Sequence, residues 1–257
     1  MSSSDSPANW LSMVPPGQFA TRQWLLDQGA SVHTLDNALK SRKLVALARG
    51  VVARPEVPVG REGVLASMDR ALADPVWLGG LSALAEMGLT HYLDGSGRVH
   101  LYSPGVKPSW LPRLPLDLDL QWHGTARLWD MRQLMAAGSL REQALDMGGW
   151  LLASPEQAFL EALMDVPKAM SFEHADNLMQ GLSSLSPKRL EALLKACRHV
   201  QVKRLFFFFA DRYDYPWRKR LNPDDYDLGS GKRHIVAGGV LDSTYLITVP
   251  EVFHGQS

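Results

Sequence analysis

The stretch SVHTLDNALKSRKLVALARGVVARP, residues 31–55, runs a polar, basic segment of helical period into two short apolar runs parted by Arg49-Gly50 and closed by a proline. A helix followed at once by a small hairpin is compatible with few folds. The preceding segment ATRQWLLDQG reads as a short helix, with Trp24, Leu25 and Leu26 apolar and Gly29 as its stop. Ser31 is the expected N-cap of a second helix reaching about Lys43. Val32, Leu35, Ala38 and Leu39 recur at helical spacing and define its buried stripe. LVALARGVVAR then supplies two strands around a glycine-containing turn. Two helices at a tight turn followed by a hairpin are the parts of a winged helix-turn-helix, whose second helix fits the major groove of DNA.

On that second helix His33, Asn37, Lys40 and Ser41 fall at i, i+4, i+7 and i+8, on one outward stripe bordered by Thr34. Asparagine can read adenine through a bidentate pair, and lysine or histidine can reach guanine or phosphate. Arg42 and Lys43 end the helix, where they suit phosphates or the helix dipole. Arg49 would sit at the wing tip, within reach of a phosphate or a narrow minor groove. Lys plus Arg equals Asp plus Glu at 27 each, so the whole chain carries no polyanion signature. The distribution is uneven. Between Gln18 and Arg61 stand seven basic residues (Arg22, Lys40, Arg42, Lys43, Arg49, Arg54, Arg61) and three acidic ones (Asp27, Asp36, Glu56), a local excess of four. Such an excess can face nucleic acid on a neutral protein. The DNA-contact candidates are therefore Arg22, His33, Thr34, Asn37, Lys40, Ser41, Arg42, Lys43, Arg49 and Arg54. The competing account is a solvated helix and hairpin that bind no DNA.

The chain has 257 residues, 46% hydrophobic, enough for one large domain or two modest ones. No apolar run approaches a membrane span, and MSSSDSPANW lacks the basic-then-apolar pattern of a secretory signal. A soluble cytoplasmic protein is the expectation. Cys197 is the single cysteine, which excludes an internal disulfide, and its helical context makes it a small core residue. Residues 62–73 and 76–89 give two further helical patterns. DGSG at 94–97 is a turn signal and the expected boundary between a head, 1–95, and a body, 96–257, although a hairpin turn fits the same letters. RVHLYS and LDLDLQW read as strands. SPEQAFLEAL opens a helix with Ser154 as N-cap, Pro155 first and Gln157 three residues after the cap, and SPKRLEALLKAC repeats the opening at Ser186-Pro187. VKRLFFFFA reads as a strand buried on both faces, and RHIVAGGVLDSTYLITVP as two closing strands. The expected fold class is α+β: an N-terminal winged helix-turn-helix followed by a larger mixed α/β domain.

Enzyme signals are sparse. GSGKR at 229–233 invites a phosphate-loop reading, but Tyr226 stands where the motif needs glycine and Arg233 where it needs Ser or Thr. Asp211, Asp214, Asp224, Asp225 and Asp227 suggest, as the alternative function, a metal-dependent nuclease or other nucleic-acid enzyme. Arginines and a lysine interleave with them, and solvated charges with local ion pairs are the simpler account. The eight histidines show no metal-ligand spacing. The residues give no cofactor or metal site, and the expectation is a protein without catalytic residues. In KRLFFFFADRYDYPWRKR, Phe206 to Phe209 are core. Arg204, Arg212, Tyr215, Trp217, Arg218 and Arg220 either build a partner surface or are packed and solvated in the ordinary way.

ALKSRKLVALARGVVARP resembles the N-terminal domain of AbiEi-type antitoxins, the antitoxin half of abortive-infection toxin–antitoxin pairs. LGGLSALAEMGLTHYL, LLASPEQAFLEALMDVP, LSPKRLEALLKAC, VKRLFFFFADRYDYPW and DLGSGKRHIVAGGVLDSTYLITVPE are similar to the long C-terminal domain of that family. The resemblance runs from about Phe19 to near the chain end, and the joint order of the motifs is its specific part. It implies a winged-helix repressor head that binds inverted repeats in its own promoter. It also implies an α/β body that opposes a nucleotidyltransferase-like toxin, without a stable complex. Within the body, Lys203, Arg204, Arg212, Trp217, Arg218, Lys232 and Arg233 are the candidates for the antitoxin surface. If the strands opening KRL and KRH run parallel, their basic pairs meet at one end of a sheet; if antiparallel, they stand at opposite ends.

Overall fold

A computed structural model describes residues 10–90, 98–145 and 148–254. The turn expected at 94–97 lies outside the described residues. The chain forms two compact units that interleave along the sequence. Among the described residues the first takes 10–77, 98–124, 142–145 and 148–151, and the second takes 78–90, 125–141 and 152–254.

The first unit opens with strand β1 (Phe19–Thr21), helix α1 (Arg22–Asp27), helix α2 (Val32–Lys40) and the hairpin β2 (Val45–Ala48) and β3 (Val51–Ala53). Both helices start where their caps dictate. Thr21 Oγ1 accepts the Trp24 N–H at 3.2 Å, and Ser31 Oγ accepts the Thr34 N–H at 3.1 Å. The hairpin and β1 make a three-stranded antiparallel sheet in the order β1-β3-β2, with Ala20 opposite Val52 and a bulge between Ala46 and Ala48. Leu25, Ala30, Leu35, Ala38, Leu44 and Val52 bury their side chains together, and Trp24 and Leu39 pack on them. Each fully buried leucine contributes about 1.5–3 kcal/mol relative to exposure. This is a winged helix-turn-helix.

Two details depart from the sequence reading. Helix α2 ends at Lys40 rather than Lys43. Val32 is 55% exposed rather than part of the buried stripe, because as the first helical residue it projects beyond the hydrophobic cluster. Helix α3 (Arg61–Ala71) crosses the chain at Gly17 and packs on β1, where the Phe19 N–H donates to Ser67 Oγ at 2.9 Å. A Cβ at Gly63 would lie 1.8 Å from the Gly17 carbonyl oxygen, so no larger residue fits that crossing.

The strands β4 (Trp77–Leu78), β5 (Arg98–Ser103), β6 (Asp119–Gly124), β7 (Leu140–Leu145) and β8 (Gly148–Ala153) form a five-stranded sheet ordered β6-β5-β4-β8-β7. β5 and β6 run parallel, from Arg98 opposite Asp119 to Ser103 opposite Gly124. The pattern at 76–89 is not one helix: β4 comes first and helix α4 (Gly80–Glu86) follows the Gly79-Gly80 break.

The second unit is helical, with α5 (Met131–Ala136), α6 (Pro155–Ala162), α7 (Phe172–Gly181), α8 (Pro187–Ala196) and α9 (Val200–Ala210), and closes with the antiparallel pair β9 (Val240–Asp242) and β10 (Ile247–Val249). The two Ser-Pro openings start α6 and α8 as read. Gln157 does not complete a capping box, because its side chain is engaged elsewhere. Its Nε2 donates to Glu161 Oε1 at 2.7 Å, and its Oε1 accepts from Ser139 Oγ at 2.5 Å. Glu161, fully buried, also accepts the Gly80 N–H at 3.0 Å and the Trp129 Nε1–H at 3.3 Å, so the buried side chain has donors from three parts of the chain.

VKRLFFFFA is helix α9, not a strand. Residues 202–210 are all buried, and a helix buried all round carries the same unbroken apolar run as a buried strand. His199 caps it, accepting the Val202 N–H at 3.4 Å. The four phenylalanines point to different sides. Phe206 meets Phe159 and Trp217, Phe207 meets Tyr226 and Tyr245, and Phe208 and Phe209 meet Phe172. KRH opens no strand either; Arg233 forms one isolated parallel bridge to Ile247. The two basic pairs therefore do not meet at a sheet end.

Candidate nucleic-acid interface

The outward face of α2 is assembled as its spacing requires. His33, Asn37 and Lys40 are exposed on it and Thr34 is half-buried, while Ser41, Arg42 and Lys43, also exposed, follow the helix end. The roles of these side chains differ. The Thr34 hydroxyl lies 2.7 Å from Ser31 Oγ within the N-cap, and Ser41 Oγ donates to the Asn37 carbonyl at 2.8 Å, so both complete helix ends. Asn37 Nδ2 lies 3.0 Å from His33 Nε2, coupling the two candidate base readers one turn apart.

The cations also separate into two groups. Arg22 Nη2 lies 2.6 Å from Asp36 Oδ1, and Arg54 grips Glu56 through two bonds at 2.9 and 3.2 Å. Lys40, Arg42, Lys43 and Arg49 are exposed and have no acidic partner among the described residues. Arg49 precedes Gly50 at the tip between β2 and β3, and Gly50 has φ 77°, the left-handed conformation that a tight hairpin turn needs. The Gly50 carbonyl accepts the Arg22 N–H at 2.8 Å, which ties the tip to the start of α1.

In the second unit the seven proposed surface residues divide sharply. Lys203, Arg204 and Trp217 are buried. Arg204 holds a turn together. Its guanidinium donates to the carbonyls of Leu228 at 2.7 Å, Gly229 at 3.0 Å, Gly231 at 2.7 Å and Leu246 at 3.2 Å. The GSGKR loop thus aims carbonyl oxygens inward at a cation, whereas a phosphate loop aims N–H groups at an anion. Arg212 pairs with Asp176 at 2.9 Å over the Phe253 ring, and Arg218 pairs with Asp211 at 2.6 Å over the Phe207 ring. Tyr213, Tyr215 and Trp217 form a stacked row whose polar tips donate to the carbonyls of Asp176, Gln180 and Leu182, from the middle of α7 to its C-cap. Lys232 and Arg233 remain exposed without an acidic partner among the described residues.

Sequence reasoning missed their neighbour Arg127. The antiparallel bridge Trp129–Cys197 and the Arg198 N–H to Leu128 carbonyl bond at 2.8 Å put Arg127 level with His199, across some seventy residues of chain that carry no local signal. Burial, then the charges of Arg127 and Arg233, lower the His199 pKa below its ordinary value. Burial pushes the Cys197 thiol up to about 11, as suits a core cysteine.

Three of the five carboxylates at 211–227 have close partners inside the protein. Asp211 accepts from Arg218 and Tyr245, Asp214 pairs with Lys219 at 2.7 Å, and Asp227 accepts the Gly229 N–H at 2.8 Å. Among the described residues no group of three or more His, Cys, Asp or Glu side chains could hold a metal ion. No helix among them is long and apolar enough to cross a membrane.

Comparison with protein families now decides the affiliation. Residues 3–95 match the family described as "Transcriptional regulator, AbiEi antitoxin N-terminal domain", and residues 96–250 match "Transcriptional regulator, AbiEi antitoxin, Type IV TA system". The chain belongs to the AbiEi antitoxin family of transcriptional regulators. Among solved structures, this AbiEi-family chain shares its fold with the RV2827C protein of Mycobacterium tuberculosis. The TM-score is 0.50 at 18% identity, covering 90% of this chain and 85% of that one. A comparison with curated proteins returned no match.

Proposed function

We propose that this AbiEi-family regulator binds inverted repeats in its own promoter through α2 and the β2–β3 wing, represses its operon, and counteracts a nucleotidyltransferase-like toxin through its C-terminal region in the cytoplasm. One observation carries the DNA-binding part. The exposed face of the second helix of a winged helix-turn-helix presents Asn37 and His33 for bases, flanked by four cations without acidic partners among the described residues: Lys40, Arg42, Lys43 and Arg49. Arg22 and Arg54, each held by an acid, contribute less, because DNA would have to displace Asp36 or Glu56. On the C-terminal side, the exposed Lys232 and Arg233 are the residues of the proposed antitoxin surface that best suit contact with an anionic target.

The test is a gel-shift titration with promoter DNA. Lys40→Ala with Arg49→Ala should weaken binding and flatten its salt dependence, by about 0.9 in log–log slope for each phosphate no longer neutralised. Unchanged affinity in a folded double variant would sink the assignment.

A further inference from the structure

Helices α1, α2 and α4 end in the same way. At the end of α1, Gly29 adopts φ 92°, its N–H donates to Leu26 O at 2.9 Å, and the Ala30 N–H donates to Leu25 O at 3.0 Å. At the end of α4, Gly88 adopts φ 69°, with Gly88 N–H to Ala85 O at 3.0 Å and Leu89 N–H to Leu84 O at 2.9 Å. At the end of α2 the pattern repeats, with Arg42 N–H to Leu39 O at 3.2 Å and Lys43 N–H to Ala38 O at 2.9 Å. Here the left-handed residue, at φ 58°, is an arginine. This helix stop calls for a residue without a Cβ, and glycine fills it twice. An arginine in that conformation opposes its own backbone preference.

The turn itself has an internal reason: it carries the chain from α2 into buried Leu44, whose N–H also reaches Ala38 O at 3.2 Å. That explains the conformation of residue 42 and leaves the choice of arginine unexplained. Leu246 supplies the contrast. It is the other non-glycine residue with positive φ among those described, at 53°, and its carbonyl accepts from both Arg204 and the Arg233 N–H. The backbone at Leu246 thus serves contacts inside the protein. The side chain of Arg42 is exposed and makes no hydrogen bond or ion pair among the described residues. Arg42 stands one residue beyond the cap of the proposed recognition helix, between Lys40 and Lys43.

We propose that Arg42 is a phosphate anchor, an arginine kept at a glycine position so that its guanidinium meets the phosphodiester backbone of duplex DNA, with folding stability lowered as the consequence. This rests on the DNA-binding reading of the head. The competing account is that Arg42 merely complements the negative end of the helix dipole. The two accounts make opposite predictions for the same variant. If the dipole is the reason, Arg42→Gly leaves the protein equally or less stable. If Arg42 is held against its backbone preference, Arg42→Gly stabilises it.

The experiment uses the full chain with Arg42→Gly and Arg42→Lys. Thermal melts are recorded beside anisotropy titrations against a duplex from the region upstream of the gene, across a salt series. Arg42→Gly should raise Tm by about 2–4 °C, the size expected when roughly 1 kcal/mol of backbone strain is removed from a chain of this length. It should also weaken binding about three- to tenfold and reduce the log–log salt slope by about 0.9. Arg42→Lys should keep the salt slope. A glycine variant that binds like the parent overturns the proposal whatever its Tm does. So does one whose Tm and affinity fall together, because Arg42 would then be supporting the fold. Lys40→Ala with Arg49→Ala runs alongside as the control: if that pair also leaves binding unchanged, the DNA-binding reading itself has failed.

Discussion

Asn37 Nδ2 stands 3.0 Å from His33 Nε2 on the outward face of α2. The contact is a hydrogen bond between the amide and the imidazole, with donor and acceptor set by the ring tautomer. It holds the Asn37 amide, the group that adenine recognition uses, against the histidine ring. His33 therefore sets which way the amide faces. Asn37→Ala should cost about 1–3 kcal/mol on the promoter site and far less on random duplex. His33→Ala should leave random-duplex affinity nearly unchanged while narrowing the gap between promoter and random sequence. Competition anisotropy measures both, and an equal loss on the two duplexes would reassign Asn37 to backbone positioning.

Arg204 governs the stability of the loop at 228–231. Four carbonyls converge on one guanidinium, and Arg204→Met would leave those of Leu228, Gly229 and Gly231 without this donor, while Leu246 keeps the Arg233 N–H. The expected loss is about 2–4 kcal/mol, since a hydrogen bond to a charged group contributes about 1.5–3 and part of the loop can rehydrate. Arg204→Lys should recover little of it, because an ammonium lacks the planar fork. A denaturant midpoint near that of the parent for either variant would refute this account.

The head was legible in the sequence because its signals are local. The cap at Ser31, the glycine stop at 29 and the Arg49-Gly50 turn each act within a few residues. The body was less legible for two physical reasons. The run Phe206 to Phe209 is apolar on every side, so periodicity cannot separate helix from strand, and the helix follows from its setting among Phe159, Phe172, Tyr226 and Tyr245. The candidate surface depends on pairings that no spacing announces. Arg212 finds Asp176 at a distance of 36 residues and Arg204 finds Leu246 at 42, and these interactions draw charges out of the expected patch. Val32 shows the converse limit, a residue of the right period placed too near a helix start to reach the core.

His199 links pH to stability. Its pKa is lowered by burial, then by Arg127 and Arg233. On acidification the unfolded chain takes up its proton first, at about 6.5. The native state resists, so the stability His199 contributes is complete above that pH and is lost as pH falls through it. His199→Asn keeps an N-cap acceptor for α9 and removes the titration. The fall in Tm between about pH 7 and pH 5.5 should be shallower in the variant than in the parent. Parallel Tm profiles would show that His199 is not the group responsible.

Lys232 and Arg233 are the two residues of the proposed antitoxin surface that stay exposed without an acidic partner among the described residues. Neither side chain makes a hydrogen bond or ion pair among the described residues, although the Arg233 charge acts on His199 and Arg204 and its backbone is bonded to Leu246 and Thr248. Charge reversal should therefore spare the fold, with Tm within a few degrees of the parent, as surface substitutions commonly do. If the target is anionic, Lys232→Glu with Arg233→Glu turns attraction into repulsion, and rescue of cells from the co-expressed toxin should fail at matched expression. Promoter binding should persist, because the α2 face is untouched. Full rescue by a stable double variant would remove this patch from toxin neutralisation. A variant that melts early needs the milder pair Lys232→Gln and Arg233→Gln, which deletes the charge while leaving long polar side chains in place. Loss of rescue by that pair at parental Tm would assign the role to charge at these two positions.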